Sequence, residues 1–244
     1  MSSSPRLYCA TPLQAAPGLV LPDAAARHAH VLRLQPGAAA TLFDGRGGEW
    51  SARIASMGRR EVTVDVLAHD GIERELPLAV TIALAMPAGE RMDFVVEKAT
   101  ELGAAAIQPL LAERSVLRLA GERAAKRVAH WQAIAVAACE QCGRNRVPVV
   151  QPVQGLRDWL AGLGAPGRER RWLLGWAEAK PFASMLDVDR APTLVLSGPE
   201  GGLSDDEEAA ARLRAFVPVT LGARVLRADT APLAALAALG LLHA

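Results

Sequence analysis

Two stretches of this chain carry residues that could do chemistry. The first is Leu194-Val195-Leu196-Ser197-Gly198-Pro199-Glu200-Gly201-Gly202-Leu203-Ser204. The second is Leu221-Gly222-Ala223-Arg224-Val225-Leu226-Arg227-Ala228-Asp229-Thr230-Ala231. Each follows an apolar run and precedes a helical pattern, so each reads as a strand-to-loop-to-helix junction. Side by side, they would gather backbone N–H and C=O groups at the carboxyl edge of a sheet, where open α/β sheets bind ligands. Taken singly, either is an ordinary βα turn. The cluster Gly198, Gly201 and Gly202 gives more backbone freedom than a simple turn uses. The familiar nucleotide loops do not fit: there is no G-x-x-x-x-G-K-[ST] and no G-x-G-x-x-G after the first strand. Ser197 precedes its glycine, so it is no nucleophile elbow. What remains is a backbone-lined pocket for a ligand that is neither polyphosphate nor dinucleotide.

The elements that must position these loops follow from hydrophobic period. From Pro5 to about Asp70 the chain reads as β structure, with alternating runs at Ala39–Phe43, Glu49–Ile54 and Glu61–Val66 and hairpin turns at Asp44–Gly48 and Met57–Arg60. One helix interrupts, from about Pro22 to Val31. A small barrel with an N-terminal helix is expected. Beyond Asp70-Gly71 the period changes. Leu78–Leu84 is a continuous apolar run, as in a strand buried on both faces. Arg91–Leu102 is an amphipathic helix with Met92, Val95, Val96, Ala99 and Leu102 on one face, closed by Gly103. Strands are expected at 105–111, 147–150, 171–174, 193–196 and 216–219, a long helix at about 120–142 and a last one at about 230–242. Alternating β and α elements give a mostly parallel sheet with helices on both faces. The domain boundary is expected near residue 72.

Composition bounds the function. The 244 residues suffice for one large domain or a small plus a medium one. A chain 51% hydrophobic and 22% charged is that of a soluble globular protein. No apolar run reaches membrane-spanning length, and Met1–Arg6 is no signal peptide, so a cytoplasmic protein is expected. Cys139 and Cys142 have no second pair to complete a zinc site; with Cys9 they read as reduced packing residues, and no metal is expected. The net charge of +1 argues against a generic polyanion binder. Yet Arg114, Arg118, Arg123, Lys126, Arg127, Arg144 and Arg146 stand against only Glu122 and Glu140 in their stretch, which fits either a phosphate footprint or a solvated helix face.

At this point the residues match a known pattern from end to end. Pro5-Arg6-Leu7-Tyr8, His30–Leu34, Leu42–Trp50, Glu97–Gly103, Glu140–Arg144, Gly198–Gly202 and Leu221–Arg227 stand in the order and spacing of one family. The chain resembles the RsmE family of 16S ribosomal RNA uridine N3-methyltransferases, within the SPOUT superfamily. Where the family has Thr-Glu-Thr, this chain has Ala228-Asp229-Thr230, with a shorter acid and one hydroxyl fewer. The resemblance implies an N-terminal PUA-like β-barrel over residues 1–72 that binds RNA. It also implies a SPOUT methyltransferase domain over 73–244 with a trefoil knot, where the chain around Leu221–Thr230 threads the loop after Leu196. A homodimer is implied as well, with the cofactor pockets close to the subunit interface; the last helix (Leu233, Leu236, Ala237, Leu239, Gly240), apolar nearly all round, is the expected interface.

The activity so implied is methylation of uracil N3, at position 1498 of standard 16S numbering, on the 30S subunit with S-adenosyl-L-methionine. That cofactor carries no phosphate, and a pocket of apolar side chains and backbone amides suits its adenine. Its expected contacts are Leu174, Leu196, Gly198, Glu200, Gly201, Leu221, Gly222, Val225, Leu226 and Thr230. Transfer requires an acceptor for the N3 proton and donors to the uracil oxygens. Arg144 is the expected RNA or uracil contact, and Glu140 and Asp229 are candidate bases; Glu140 also reads as a structural acceptor and Asp229 as a helix N-cap. Because N3 lies on the Watson–Crick edge, the target must be unpaired or flipped out. Arg6, Arg33, Arg53, Arg59 and Arg60 would track its phosphates. Two rivals stay open: a knotted methyltransferase for another RNA position, and a non-catalytic assembly factor that binds RNA.

Overall fold

The structure is a computed structural model that describes residues 4–59, 61–89, 91–175 and 178–243. The chain divides into two compact units. One is formed by 1–75 with 136–147, the other by 76–135 with 148–244.

The first unit contains β1 (Arg6–Tyr8), β2 (Ala16–Val20), α1 (Asp23–Val31), β3 (Ala39–Phe43), β4 (Glu49–Met57) and β5 (Val62–Asp70). Its sheet runs β1-β3-β4-β5-β2, antiparallel except for the parallel pair β1 and β3. Val62, Val64 and Val66 alternate inward, as the period-two pattern requires, and pack with Leu7, Leu42, Ile54 and the alanine face of α1. β1 and β2 have no counterpart in the sequence reading. Both are short, and each of them flanks a stretch with no alternation.

Residues 136–147 belong to this unit, although the expected boundary near residue 72 assigns them elsewhere. Hydrogen bonds within the unit explain why. Glu140 accepts from the Tyr8 backbone N–H at 3.0 Å and lies 2.8 Å from Nδ1 of His28. Arg6 donates to the Asn145 side chain at 2.5 Å and to the Arg144 carbonyl at 3.1 Å, and it pairs with Glu49 at 2.6 Å. Burial alone would raise the Glu49 pKa, but Arg74 and Arg6 outweigh it and hold the carboxyl at about 2. Cys9 and Cys139 are buried here, and burial is the main force pushing each thiol up to about 12, which fits packing residues.

The second unit holds β6 (Val80–Ala85), α2 (Arg91–Glu101), β7 (Ala106–Leu111) and most of α3 (Gly121–Cys142). Next come β8 (Val149–Val150), β9 (Gln154–Gly155), α4 (Leu156–Gly162), β10 (Arg170–Leu174) and β11 (Lys180–Pro181). The last elements are β12 (Thr193–Ser197), α5 (Asp205–Leu213), β13 (Val217–Thr220) and α6 (Thr230–Leu242). The sheet order is β11-β13-β10-β12-β6-β7-β8, with β9 also on β7, and every pairing among the described residues is parallel. Alternate residues of the central strands serve opposite faces. Ala83, Ala85, Leu194 and Leu196 pack with Leu156 and Leu160 of α4 and Ala211 of α5. The other face meets α6, which touches β6 and β12 and packs on α2. The buried positions of α6, Pro232, Ala235, Leu236 and Leu239, form one helical stripe, while Leu241 is 82% exposed.

Among the described residues, two helices end in the left-handed conformation without glycine. After α5, Ala215 has φ 64°, with Ala215 N–H bonded to Arg212 O and Phe216 N–H to Ala211 O. That is a full Schellman closure with alanine where glycine is favoured. Arg33 (φ 54°) closes α1 in the same way. Ala215→Gly is expected to raise stability by about 0.5–1 kcal/mol, after the entropy glycine adds to the unfolded chain. Calorimetry should show Tm higher by about 1–4 °C; an unchanged or lower Tm refutes the strain.

Candidate functional site

The strand ends of β10, β12 and β13 lie side by side, because Leu174 pairs with both Ser197 and Val219. Each strand is followed by a glycine: Gly175, Gly198 and, past Leu221, Gly222. At this carboxyl edge the second unit holds a cavity of about 660 Å³. Its walls are apolar at Leu173, Leu174, Leu203, Val219, Leu221, Val225 and Leu226, and charged at Arg91, Glu200, Glu208, Arg224 and Arg227.

The loop after β12 is braced from below. Gly202 (φ 70°) closes a turn with its N–H on the Pro199 carbonyl at 2.9 Å. Arg114 donates to the Gly201 and Leu203 carbonyls, both at 3.1 Å. Glu207, 2% exposed, accepts from the Ser204 N–H at 3.0 Å, as in a capping box, and from the Glu113 N–H at 2.8 Å. A Cβ added at Gly198 would stand 3.2 Å from both Cγ and the backbone N of Leu203, so the loop folds back on that glycine.

Of the expected cofactor contacts, Leu174, Gly198, Glu200, Leu221, Val225 and Leu226 line the cavity. Leu196 is fully buried in the core and does not line it. A Cβ at Gly201 would meet the Cβ of Arg114 at 3.3 Å, so this glycine faces the bracing arginine and not the ligand space. Gly222 (φ 114°) and Thr230 are exposed and stand outside the lining. The Glu200 carboxylate accepts from the Ala88 N–H at 3.1 Å and from Arg91 at 3.3 Å, which ties two loops together.

Asp229 sits at the N-cap position of α6, but its side chain makes no cap hydrogen bond. It accepts instead from the Thr230 hydroxyl at 3.3 Å and lies 4.0 Å from Nε of Arg91. The cap reading of Asp229 is therefore not met; its αR backbone (ψ −31°) departs from the extended geometry a cap uses. Arg91, Leu203, Glu208, Arg224 and Arg227 were not singled out from sequence as ligand contacts. Leu203 had a signal, since an apolar residue directly after two loop glycines must pack somewhere close.

The remaining candidates lie in the first unit. Arg144 is not a solvent-facing cation. Its side chain is 5% exposed and grips Glu75, with Nε 3.1 Å from both carboxylate oxygens and Nη2 on Oε2. Glu140 is occupied by Tyr8 and His28, as its structural reading anticipates. Arg6 is 10% exposed and held by Glu49, so it does not face outward to track phosphates. Arg33, Arg53 and Arg59 are exposed; Arg60 lies outside the described residues. Among the described residues no group of three or more His, Cys, Asp or Glu side chains could hold a metal, and no helix is long and apolar enough to cross a membrane.

Comparison with known proteins agrees with this geometry. Residues 74–240 match the RNA methyltransferase domain family, and residues 21–67 match the RNA methyltransferase PUA domain. The ribosomal RNA small subunit methyltransferase E of Bacillus subtilis is 32% identical over 86% of this chain and 84% of its own length. That of Synechocystis is 34% identical over 85% of this chain and 67% of its own. A crystal structure of the Neisseria gonorrhoeae enzyme of the same name, bound to S-adenosyl methionine, superposes with a TM-score of 0.92 at 40% identity and covers 98% of both chains. A Legionella pneumophila protein solved with the same cofactor gives 0.91 at 34%, covering 98% of this chain and 97% of its own. With one methyltransferase domain spanning most of its length and relatives this similar along nearly all of it, the chain belongs to the ribosomal RNA small subunit methyltransferase E family.

Proposed function

We propose that the protein transfers a methyl group from S-adenosylmethionine to N3 of a uridine in 16S ribosomal RNA, position 1498 of standard numbering. It acts on the 30S subunit, in the cytoplasm, as a homodimer that buries part of the apolar α6. The observation that carries the reading is the cavity at the ends of β10, β12 and β13. It has the volume of a small-ligand site, apolar walls and main-chain edges, and nothing resembling a polyphosphate loop.

The pocket fits a ligand with a flat heterocycle and no phosphate. Leu174, Val219, Leu221 and Leu226 offer apolar surface for a ring, and the loop at Gly198 brings backbone within reach of its edge. S-adenosylmethionine supplies, when bound, an electrophilic methyl group on a sulfonium. The protein must orient the uracil, take its N3 proton and exclude water. Asp229, adjoining the cavity residue Ala228, offers a carboxylate acceptor, with the Arg91 guanidinium 4.0 Å away. No step is placed on Arg144 or Glu140, whose side chains are already engaged. We further infer that the PUA-like sheet closes as a barrel, and that the segment 221–230 threads the loop after β12 as a trefoil knot. The placement of β10 between β12 and β13 supports the knot, because the two glycine loops then close on one cavity.

The test uses 30S subunits from a strain lacking the gene, incubated with the purified protein and labelled S-adenosylmethionine. Nucleoside mass analysis is expected to find 3-methyluridine at 1498. Methylation at another position or atom, or none, overturns the assignment.

A further inference from the structure

We propose that Arg224 and Arg227 form an RNA-backbone contact at the mouth of the cavity, holding the phosphates that flank the target base. The inference rests on the proposed methyl transfer at this site and names residues for its second substrate. Both arginines line the cavity, both are exposed, and neither guanidinium has an ion pair or hydrogen bond among the described residues. The third cavity arginine, Arg91, differs: Glu200 and Asp229 hold it.

Charge balance separates the possible ligands. Among the described residues, three guanidiniums line the cavity against the carboxylates of Glu200 and Glu208 and that of Asp229, which pairs with Arg91 at its edge, so the site is balanced before it is loaded. S-adenosylmethionine, with a sulfonium, an ammonium and one carboxylate, adds one positive charge. The loaded site therefore calls for negative charge from elsewhere, and a ribonucleic acid brings it in its phosphates. Position agrees with charge. Arg224 and Arg227 bracket Val225, which borders the cavity yet is 83% exposed, so this segment faces whatever enters after the cofactor. Arginine also matches phosphate with a planar fork of donors, so two of them can fix register as well as attract. The expected phosphate contact at Arg6 is taken up by Glu49, whereas these two cations are uncommitted.

The experiment measures affinity for unmethylated 30S subunits across a salt series, with S-adenosylhomocysteine present, alongside calorimetric binding of S-adenosylmethionine. The Arg224→Ala/Arg227→Ala double variant is expected to lower the slope of log affinity against log salt by about 1.4, roughly 0.7 per phosphate contact on single-stranded nucleic acid. Cofactor affinity should be unchanged. Arg224→Lys/Arg227→Lys should restore the slope because it restores the charges, while recovering only part of the affinity. A tenfold loss of cofactor affinity at an unchanged slope would assign the arginines to the cofactor's carboxylate and overturn the inference. Unchanged values throughout would do the same. Wild-type protein that binds the cofactor but not 30S subunits would overturn the proposed function itself, a different result from either.

Discussion

Gly198→Val is expected to weaken S-adenosylmethionine binding ten- to a hundredfold while leaving both units folded. The position has no room for a side chain: its Cβ would stand 3.2 Å from Leu203 Cγ and from the Leu203 backbone N, and 3.3 Å from the Gly202 carbonyl carbon. Two of these neighbours are main chain, so relief requires the whole turn at 199–203 to move. That turn is fixed at its far end by the carbonyl contacts of Arg114 and by the Glu207 cap, so the displacement falls on the ligand side. Overpacking of this kind costs about 1–3 kcal/mol, and binding loses that amount if the displaced loop must be restored in the complex. Gly201→Val is the instructive companion, since its Cβ points at the Arg114 side chain. It should perturb the brace and reduce affinity less. Calorimetric titration of both variants decides the matter; equal or reversed losses would sink the assignment of the loop's ligand-facing side.

The contrast between these two glycines marks the limit of what sequence discloses. Composition and period located the loops, because an apolar run such as Thr193–Ser197 ending in Gly-Pro has few other structures open to it. Position along the strand then placed Leu174, Leu221 and Leu226 at a sheet edge. Which face of a loop meets the ligand depends on the partner packed behind it, and Arg114 is 87 residues away from Gly201. Leu196 misled for a related reason. In a strand buried on both sides most residues are apolar, as Leu194–Leu196 are here, so pattern alone cannot tell the residue under the cavity from those lining it. The parallel pairing of β1 on β3 was equally hidden, since three residues carry no alternation to read. Arg91, Arg224 and Arg227 each look like a surface charge until the cavity brings them together.

Arg144 shows the same effect with the largest consequence for stability. Arg144→Ala is expected to destabilise the protein by about 3 kcal/mol, because it leaves Glu75, only 19% exposed, without its counter-ion. In a chain of this size that shift lowers Tm by about 6–12 °C. The loss should extend to its neighbours: Asn145 next in the chain bonds the Ile72 carbonyl at 2.9 Å and accepts from Arg6, so the 143–146 turn fastens residues 136–147 into the first unit. Removing both partners should be far milder than removing one. Arg144→Met combined with Glu75→Gln takes away the charge on each side, and thermal melting should recover most of the lost Tm. Binding of S-adenosylmethionine, measured well below the melting range, should stay near wild type for both variants, because the described residues that line the cavity all belong to the second unit. If Arg144 instead contacts RNA directly, Arg144→Ala will keep its Tm and lose affinity for 30S subunits. A retained Tm would therefore refute the structural role, and a lowered Tm repaired by the double variant would establish it.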